Sequence, residues 1–116
     1  MFVKEVSQAI ENLITDGQIV SVGKLFEKKA AIVGKYRGKT LEIKLSMFMT
    51  LESVLQGYSA STDLDLIFDG HRLIGTHLNS PEEIEMIKVA WKMAEDAFEA
   101  EQKKASSEAW KILGIE

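Results

Sequence analysis

The longest regular pattern of apolar and polar positions runs over residues 81–113 and predicts an amphipathic helix with two adjacent apolar stripes. Together the stripes cover roughly 220° of the circumference, about twice the arc that a helix needs to face one core. The first stripe consists of Ile84, Ile87, Trp91, Ala94 and Phe98. The second stripe consists of Met86, Val89, Ala90, Met93, Ala97 and Ala100. We expect the first stripe to pack on the domain. The second predicts self-association, with a dimer favoured, unless the first helix of the chain covers it.

The two ends of this helix carry recognisable signals. Ser80 is suited to the N-cap, Pro81 to the first helical position, and Gly114 followed by Ile115 to a Schellman-type end. A continuous helix would span roughly 50 Å, against a diameter of about 35 Å for a compact chain of this size. The alternative is a break at residues 105–108, where Ser106 would cap a short last helix that folds back.

The N-terminal third predicts a helix followed by a strand. Apolar residues recur at helical spacing over residues 2–14, and Asp16-Gly17 is a stop signal. The apolar positions of this helix are Phe2, Val6, Ala9, Ile10, Leu13 and Ile14. Residues 19–26 then have the composition of a strand.

Two β-hairpins follow, each with a glycine at its turn. A type II′ turn at Gly38-Lys39 would pair Tyr36 with Leu41 and leave one face of the hairpin apolar. The second hairpin offers turns at Asp69-Gly70 or at Gly70-His71. We favour Gly70-His71, because it pairs apolar residues with each other whereas the Asp69-Gly70 register mixes the two faces.

The resulting fold class is α+β, in one domain covering residues 1–116. An antiparallel sheet of about five strands, including two type II′-like hairpins, would carry N-terminal, middle and long C-terminal helices. The middle helix is expected from Met47 to about Gly57. The two hairpins share an order of residue types, so a ββα-ββα pseudo-repeat is an open interpretation.

Composition narrows the setting without pointing to an activity. The chain lacks Cys, has no signal-peptide pattern at its start and has no apolar run of membrane-spanning length, which favours a soluble, cytoplasmic protein. Residues 24–44 contain seven bases and two acids, a net charge of +5, so the rest of the chain carries −9 of the total of −4. This basic segment could bind a nucleic acid, a nucleotide or another anionic ligand. The candidate residues are Lys28, Lys29, Lys35, Tyr36, Arg37 and Lys39.

Signals for catalysis are weak. The one metal-like cluster consists of Asp63, Asp65, Asp69, His71 and His77. The favoured register places His77 opposite Leu64 on the apolar face, so these ligands would diverge. Thr76 and His77 would point to opposite faces of a strand, and the chain has no P-loop, dinucleotide or zinc-protease motif.

The sequence therefore predicts a non-enzymatic binding or regulatory protein that needs no cofactor and no metal. We expect it to self-associate through its C-terminal helix and to bind another macromolecule, as an adaptor, an inhibitor or a phage-type accessory protein. Binding of an anionic ligand by the segment Lys24–Lys44 is the alternative, and a metal-dependent enzyme is a distant third. No membrane partner is expected.

Overall fold

The computed structural model describes residues 2–25, 29–48, 61–78 and 80–115. Its strands form one antiparallel sheet in the order β1-β2-β3-β4-β5, each strand pairing with the next along the chain. The elements are α1 (Val3–Asp16), β1 (Gln18–Val22), β2 (Lys29–Tyr36), β3 (Lys39–Phe48), β4 (Ser61–Phe68), β5 (His71–Leu78) and α2 (Pro81–Ile112). The predicted α+β class and the five-stranded antiparallel sheet are confirmed.

The predicted middle helix is not among the helices of the described residues, which are α1 and α2. Its expected start is wrong, because Met47 and Phe48 end β3 and pair with Thr62 and Ser61 of β4. The remainder of that prediction, residues 49–57, lies outside the described residues. The first unit of the suggested ββα-ββα pseudo-repeat therefore has no described helix to compare with α2.

The β2–β3 hairpin turns at Arg37-Gly38, one residue earlier than predicted. Tyr36 pairs with Lys39, and the two turn residues have φ values of 52° and 79°. Positive φ at both central positions defines a type I′ turn, so the type II′ prediction is wrong. The apolar face was still predicted correctly, because moving a turn by one residue shifts each partner by two and leaves every side chain on its face.

The β4–β5 hairpin turns at Asp69-Gly70, so the predicted Gly70-His71 turn is also wrong. Its central φ values, 53° and 80°, again fit type I′. Ile67 pairs with Arg72, but Leu66 pairs with Ile74, so Leu73 is an extra residue in β5. This β-bulge returns Ile74 to the buried face. Without the bulge, the Asp69-Gly70 register would place apolar and polar side chains on the same face, which was the reason for preferring the other turn.

The core lies between one face of the sheet and the two helices. Within the first stripe of α2, Ile87, Trp91 and Ala94 are buried, and Ile84 is partly buried against the same core. Phe98, the last residue of the stripe, is half-buried. The prediction that this stripe packs on the domain is thus confirmed. The indole Nε1 of Trp91 donates a hydrogen bond of 2.8 Å to the carbonyl of Gly23, just after β1.

Helix α1 packs on the same side as α2 through four buried residues, Val3, Val6, Ile10 and Leu13. Phe2, predicted as part of this face, is instead 50% exposed. The helix contacts β2 closely at Gly34, where a Cβ atom would lie 2.6 Å from a methyl carbon of Leu13. Glycine at this position therefore allows Leu13 to be buried against the strand.

Helix α2 is continuous from Pro81 to Ile112, so the alternative of a break at Ser106 is wrong. Ser80 occupies the N-cap position, although its side chain makes no capping hydrogen bond. The predicted Schellman end is confirmed: Ile115 donates to the Trp110 carbonyl at 3.0 Å, and Gly114, with φ 75°, donates to Lys111. The protein is 57 Å long and 30 Å across, because α2 extends beyond the sheet.

Candidate interaction surface

The second stripe of α2 divides into a covered edge and an exposed face. Ala90 is buried and Ala97 is half-buried, and each lines a cavity together with residues of α1. Met86, Val89 and Met93 remain 41%, 56% and 43% exposed. Ala100 is exposed as well. Burial by the chain's own first helix therefore accounts for only part of the stripe, and the larger side chains face outward.

A groove of about 720 Å³ runs between α1 and the first half of α2. Met86, Val89, Ala90 and Met93 line it with apolar surface. Its polar lining comes from Ser7 and Glu11 of α1 and from Glu82 and Glu85 of α2. The groove and the exposed part of the second stripe form one continuous surface, which we call the α2 face (Met86, Val89, Met93 and Ala100).

The C-terminal end of α2 projects from the body of the protein. Every residue from Glu99 to Ile115 is exposed, although Glu101, Gln102 and Ala105 line a cavity together with the α1–β1 connection. Large apolar side chains are exposed at the tip: Trp110, Ile112, Leu113 and Ile115. Sequence reasoning left two alternatives for Trp110, Ile112 and Leu113, a continuous helix that overhangs the domain or a short helix that folds back, and the structure shows the first.

Charged residues border the α2 face along its solvent side. Lys92 binds Asp96 at 2.9 Å and Lys103 approaches Glu99 at 3.6 Å, both one helical turn apart. The side-chain hydrogen bond from Lys92 to Asp96 raises the pKa of the ammonium above 10.5, and the negative charges of Asp96, Glu95 and Glu99 raise it further. Such exposed pairs add little stability, but they hold charges in defined positions beside the apolar stripe.

The basic segment is spread over the length of the first hairpin. Lys29 begins β2, whereas Lys35, Arg37 and Lys39 lie at or near the turn that follows it. The Arg37 guanidinium lies over the Tyr36 ring, 5.4 Å from its centre. Lys28 lies outside the described residues. The structure thus brings Lys35, Tyr36, Arg37 and Lys39 together and separates Lys29 from them.

Several of these bases already have partners. Lys39 lies 3.2 Å from Asp69 of the neighbouring hairpin turn, and Lys35 donates a 2.6 Å hydrogen bond to the Thr40 hydroxyl. Lys44 lies 3.6 Å from Glu42. The two hairpin turns are adjacent in space, since the Asp69 amide donates to the Thr40 carbonyl at 2.9 Å.

The acidic and histidine residues of the second hairpin form separate pairs. His77 lies opposite Asp63 with its Nδ1 2.7 Å from a carboxylate oxygen, so its predicted position opposite Leu64 on the apolar face is wrong. The bulge at Leu73 causes this change of face. Asp65 binds Arg72 at 2.8 Å. Within the described residues, no group of three or more His, Asp or Glu side chains is placed to hold a metal ion.

Comparisons with models of protein families, with curated proteins and with solved structures find no match to this chain. Neither described helix combines the length and the apolar composition that crossing a membrane requires. The surfaces described above are therefore the basis for assigning a function.

Proposed function

We propose that this chain is a small non-enzymatic binding protein that self-associates through α2 and acts by binding another macromolecule. The observation that carries the proposal is the α2 face, on which Met86, Val89 and Met93 are all more than 40% exposed. Single exposed apolar residues are common on soluble proteins, but these three follow one another at helical spacing and line one groove. Contiguous apolar surface of this kind typically marks an interaction site.

The projecting end of α2 gives independent support. Most of the stability of a helix in a protein comes from the packing of its apolar face, so turns that pack against nothing are only weakly favoured in water. In the last turns of α2, beyond Ala105, every described residue is exposed. A second protein surface packed along the helix would stabilise those turns and bury Trp110, which is of a residue type that often anchors protein interfaces.

A dimer is the assembly that we propose. Two-fold homodimers are the commonest soluble oligomers, and they place the same patch of both subunits in contact. Methionine adapts its shape to a partner, and alanine allows two helices to approach closely. Both residue types occur on the α2 face, at Met86, Met93 and Ala100.

An adaptor or inhibitor role fits a dimer with exposed apolar ends, and we propose a protein as the partner. The alternative, binding of a nucleic acid or nucleotide by the basic segment, has less support. Lys39 and Lys44 each have a carboxylate within 4 Å, and Arg37 lies over one face of the Tyr36 ring. We propose no catalytic role.

Light scattering coupled to size exclusion tests the self-association. We expect a mass near twice the 13.0 kDa of one chain at tens of micromolar, and one chain for Met93→Glu. Because Met93 is exposed in the protomer, Met93→Glu should leave the thermal unfolding midpoint of dilute protein nearly unchanged. Val20→Glu is the matched control, since Val20 is 51% exposed on the edge strand β1, and it should remain dimeric. A wild-type mass of one chain up to hundreds of micromolar would refute the proposal.

A further inference from the structure

We propose that the partner on the α2 face is a second copy of this chain, packed with its α2 antiparallel about a two-fold axis beside Met93 and Ala94. This inference rests on the proposed self-association and adds its geometry. Two patterns along α2 support it: the order of charges on the exposed flank of the helix and the order of large and small residues on the α2 face.

The exposed flank reverses its charges about the middle of the helix. From Ala94 toward the N-terminus the flank presents Lys92, Lys88 and Glu85, and toward the C-terminus it presents Asp96, Glu99 and Lys103. All six side chains are exposed. At about 100° per residue they fall within roughly 80° of arc on one side of the α2 face. Each charged residue on the N-terminal side of Ala94 therefore has a residue of opposite charge at about the same distance on the C-terminal side.

An antiparallel pair brings these mirrored positions together. A two-fold axis perpendicular to both helices places the same flank of each copy side by side, so Lys92 lies near Asp96 of the second copy. Lys88 then lies near Glu99, and Glu85 near Lys103. Opposite charges at facing positions stabilise a helix pair and steer its assembly, whereas like charges oppose it.

The order of large and small apolar residues along α2 is symmetric about nearly the same position as the order of charges. With the axis at Met93, Met86 lies opposite Ala100, Val89 lies opposite Ala97, and Met93 meets its own copy. On either side of the central Met93 pair, large residues thus face small ones, which lets side chains interdigitate at a close helix separation. The centres of the charge pattern and the apolar pattern agree within one residue, or about 1.5 Å along the axis.

The other flank of α2 argues against a parallel pair. A parallel two-fold would set the charged flank of one copy against the opposite flank of the other. That opposite flank carries Ala90 and Ala97, which line cavities together with residues of α1. The antiparallel arrangement leaves α1 clear of the charged flank, and it places Ala100 and Lys103 over the first turns of the second copy's α2, covering part of the projecting segment.

Cysteine crosslinking separates the two arrangements, because the chain has no native Cys. Single variants Met93→Cys, Met86→Cys and Ala100→Cys are treated with a short bismaleimide, alone and as a mixture of the last two. In the antiparallel pair Met93→Cys crosslinks to itself and the mixture gives crosslinked heterodimer. The Met86→Cys variant alone gives no crosslinked dimer, since its two cysteines lie about 20 Å apart at ~1.5 Å per residue. Efficient self-crosslinking of Met86→Cys, with none between the mixed variants, would overturn the inference.

Charge reversal supplies a test that needs no crosslinker. Glu85 and Lys103 lie about 27 Å apart on one helix, too far for contact within a chain. We expect Glu85→Lys or Lys103→Glu to weaken dimerisation about fivefold, and the double variant to return within about twofold of wild type, because each pair occurs twice per dimer. Glu108→Lys, beyond the paired region, is the control and should change the dimer dissociation constant little.

The outcomes distinguish this inference from the proposal on which it rests. Wild-type protein that stays monomeric refutes the self-association itself. A dimer that Met93→Glu dissociates, but in which the double charge reversal restores nothing, keeps the proposed function and overturns the antiparallel geometry. Circular dichroism of every variant confirms that the protomer is folded before its dissociation constant is compared.

Discussion

Replacing Trp91 by phenylalanine should destabilise the protomer by about 2–4 kcal/mol. Trp91 is fully buried, and its indole N–H donates the 2.8 Å bond to the Gly23 carbonyl that ties α2 to the edge of the sheet. Phenylalanine leaves that carbonyl without this donor, at a cost of about 1–3 kcal/mol. The smaller ring also leaves a cavity, which adds on the order of 1 kcal/mol when the core relaxes only partly.

Urea unfolding followed by far-ultraviolet circular dichroism measures this loss. With a slope of roughly 2 kcal/mol per molar urea, the midpoint should fall by about 1–2 M. Trp110→Phe is the matched control: this residue is 51% exposed on the projecting end of α2, and its replacement should change the free energy of unfolding by less than about 0.5 kcal/mol. Equal effects of the two substitutions, or a loss below about 1 kcal/mol for Trp91→Phe, would refute the anchoring role of the indole.

Three further predictions concern the turn, the helix charges and the basic segment. Gly70→Ala forces an L-residue to φ 80° and should cost about 1 kcal/mol in the same urea assay. Asp96→Asn should lower the Lys92 pKa, measured by NMR titration. Asp96 raises the Lys92 pKa in the folded state, so the pair adds a small amount to the stability of the folded protein. That stabilisation is complete below pH ~10.5 and is lost as the pH rises through the Lys92 pKa of the folded state. Finally, the Arg37→Ala variant should elute from heparin at low salt at the same position as the wild-type protein. A lower retention of the variant would favour the anionic-ligand alternative.

Periodicity predicted the faces of the elements better than it predicted their pairing. The buried stripe of α2 and the apolar face of the first hairpin follow from side-chain spacing alone. The position of the first turn does not, because registers that differ by two residues bury the same face. The second turn was misplaced because its true register contains a bulge. The bulge at Leu73 has no local sequence signal, yet it decides that His77 faces outward beside Asp63.

The helix boundaries illustrate a second limit of sequence reasoning. Ser106 and Ser107 weaken a helix by only a few tenths of a kcal/mol each, so they did not determine whether α2 ends there. In the structure the helix continues and exposes Trp110. Met47 and Phe48 have spacing compatible with a helix, but their pairing with β4 places them in β3. In both cases tertiary contacts, or their absence, decide between local alternatives of similar energy.

The central claim is that self-association covers the α2 face, and oxidative footprinting across a dilution series tests it most directly. Met86 and Met93, both more than 40% exposed in the protomer, should lose reactivity toward hydroxyl radicals as the concentration rises into the range where the mass doubles. His71, exposed at a hairpin turn, should react equally at every concentration and serves as the internal reference. If Met86 and Met93 stay as reactive at high concentration as at low, the account is contradicted.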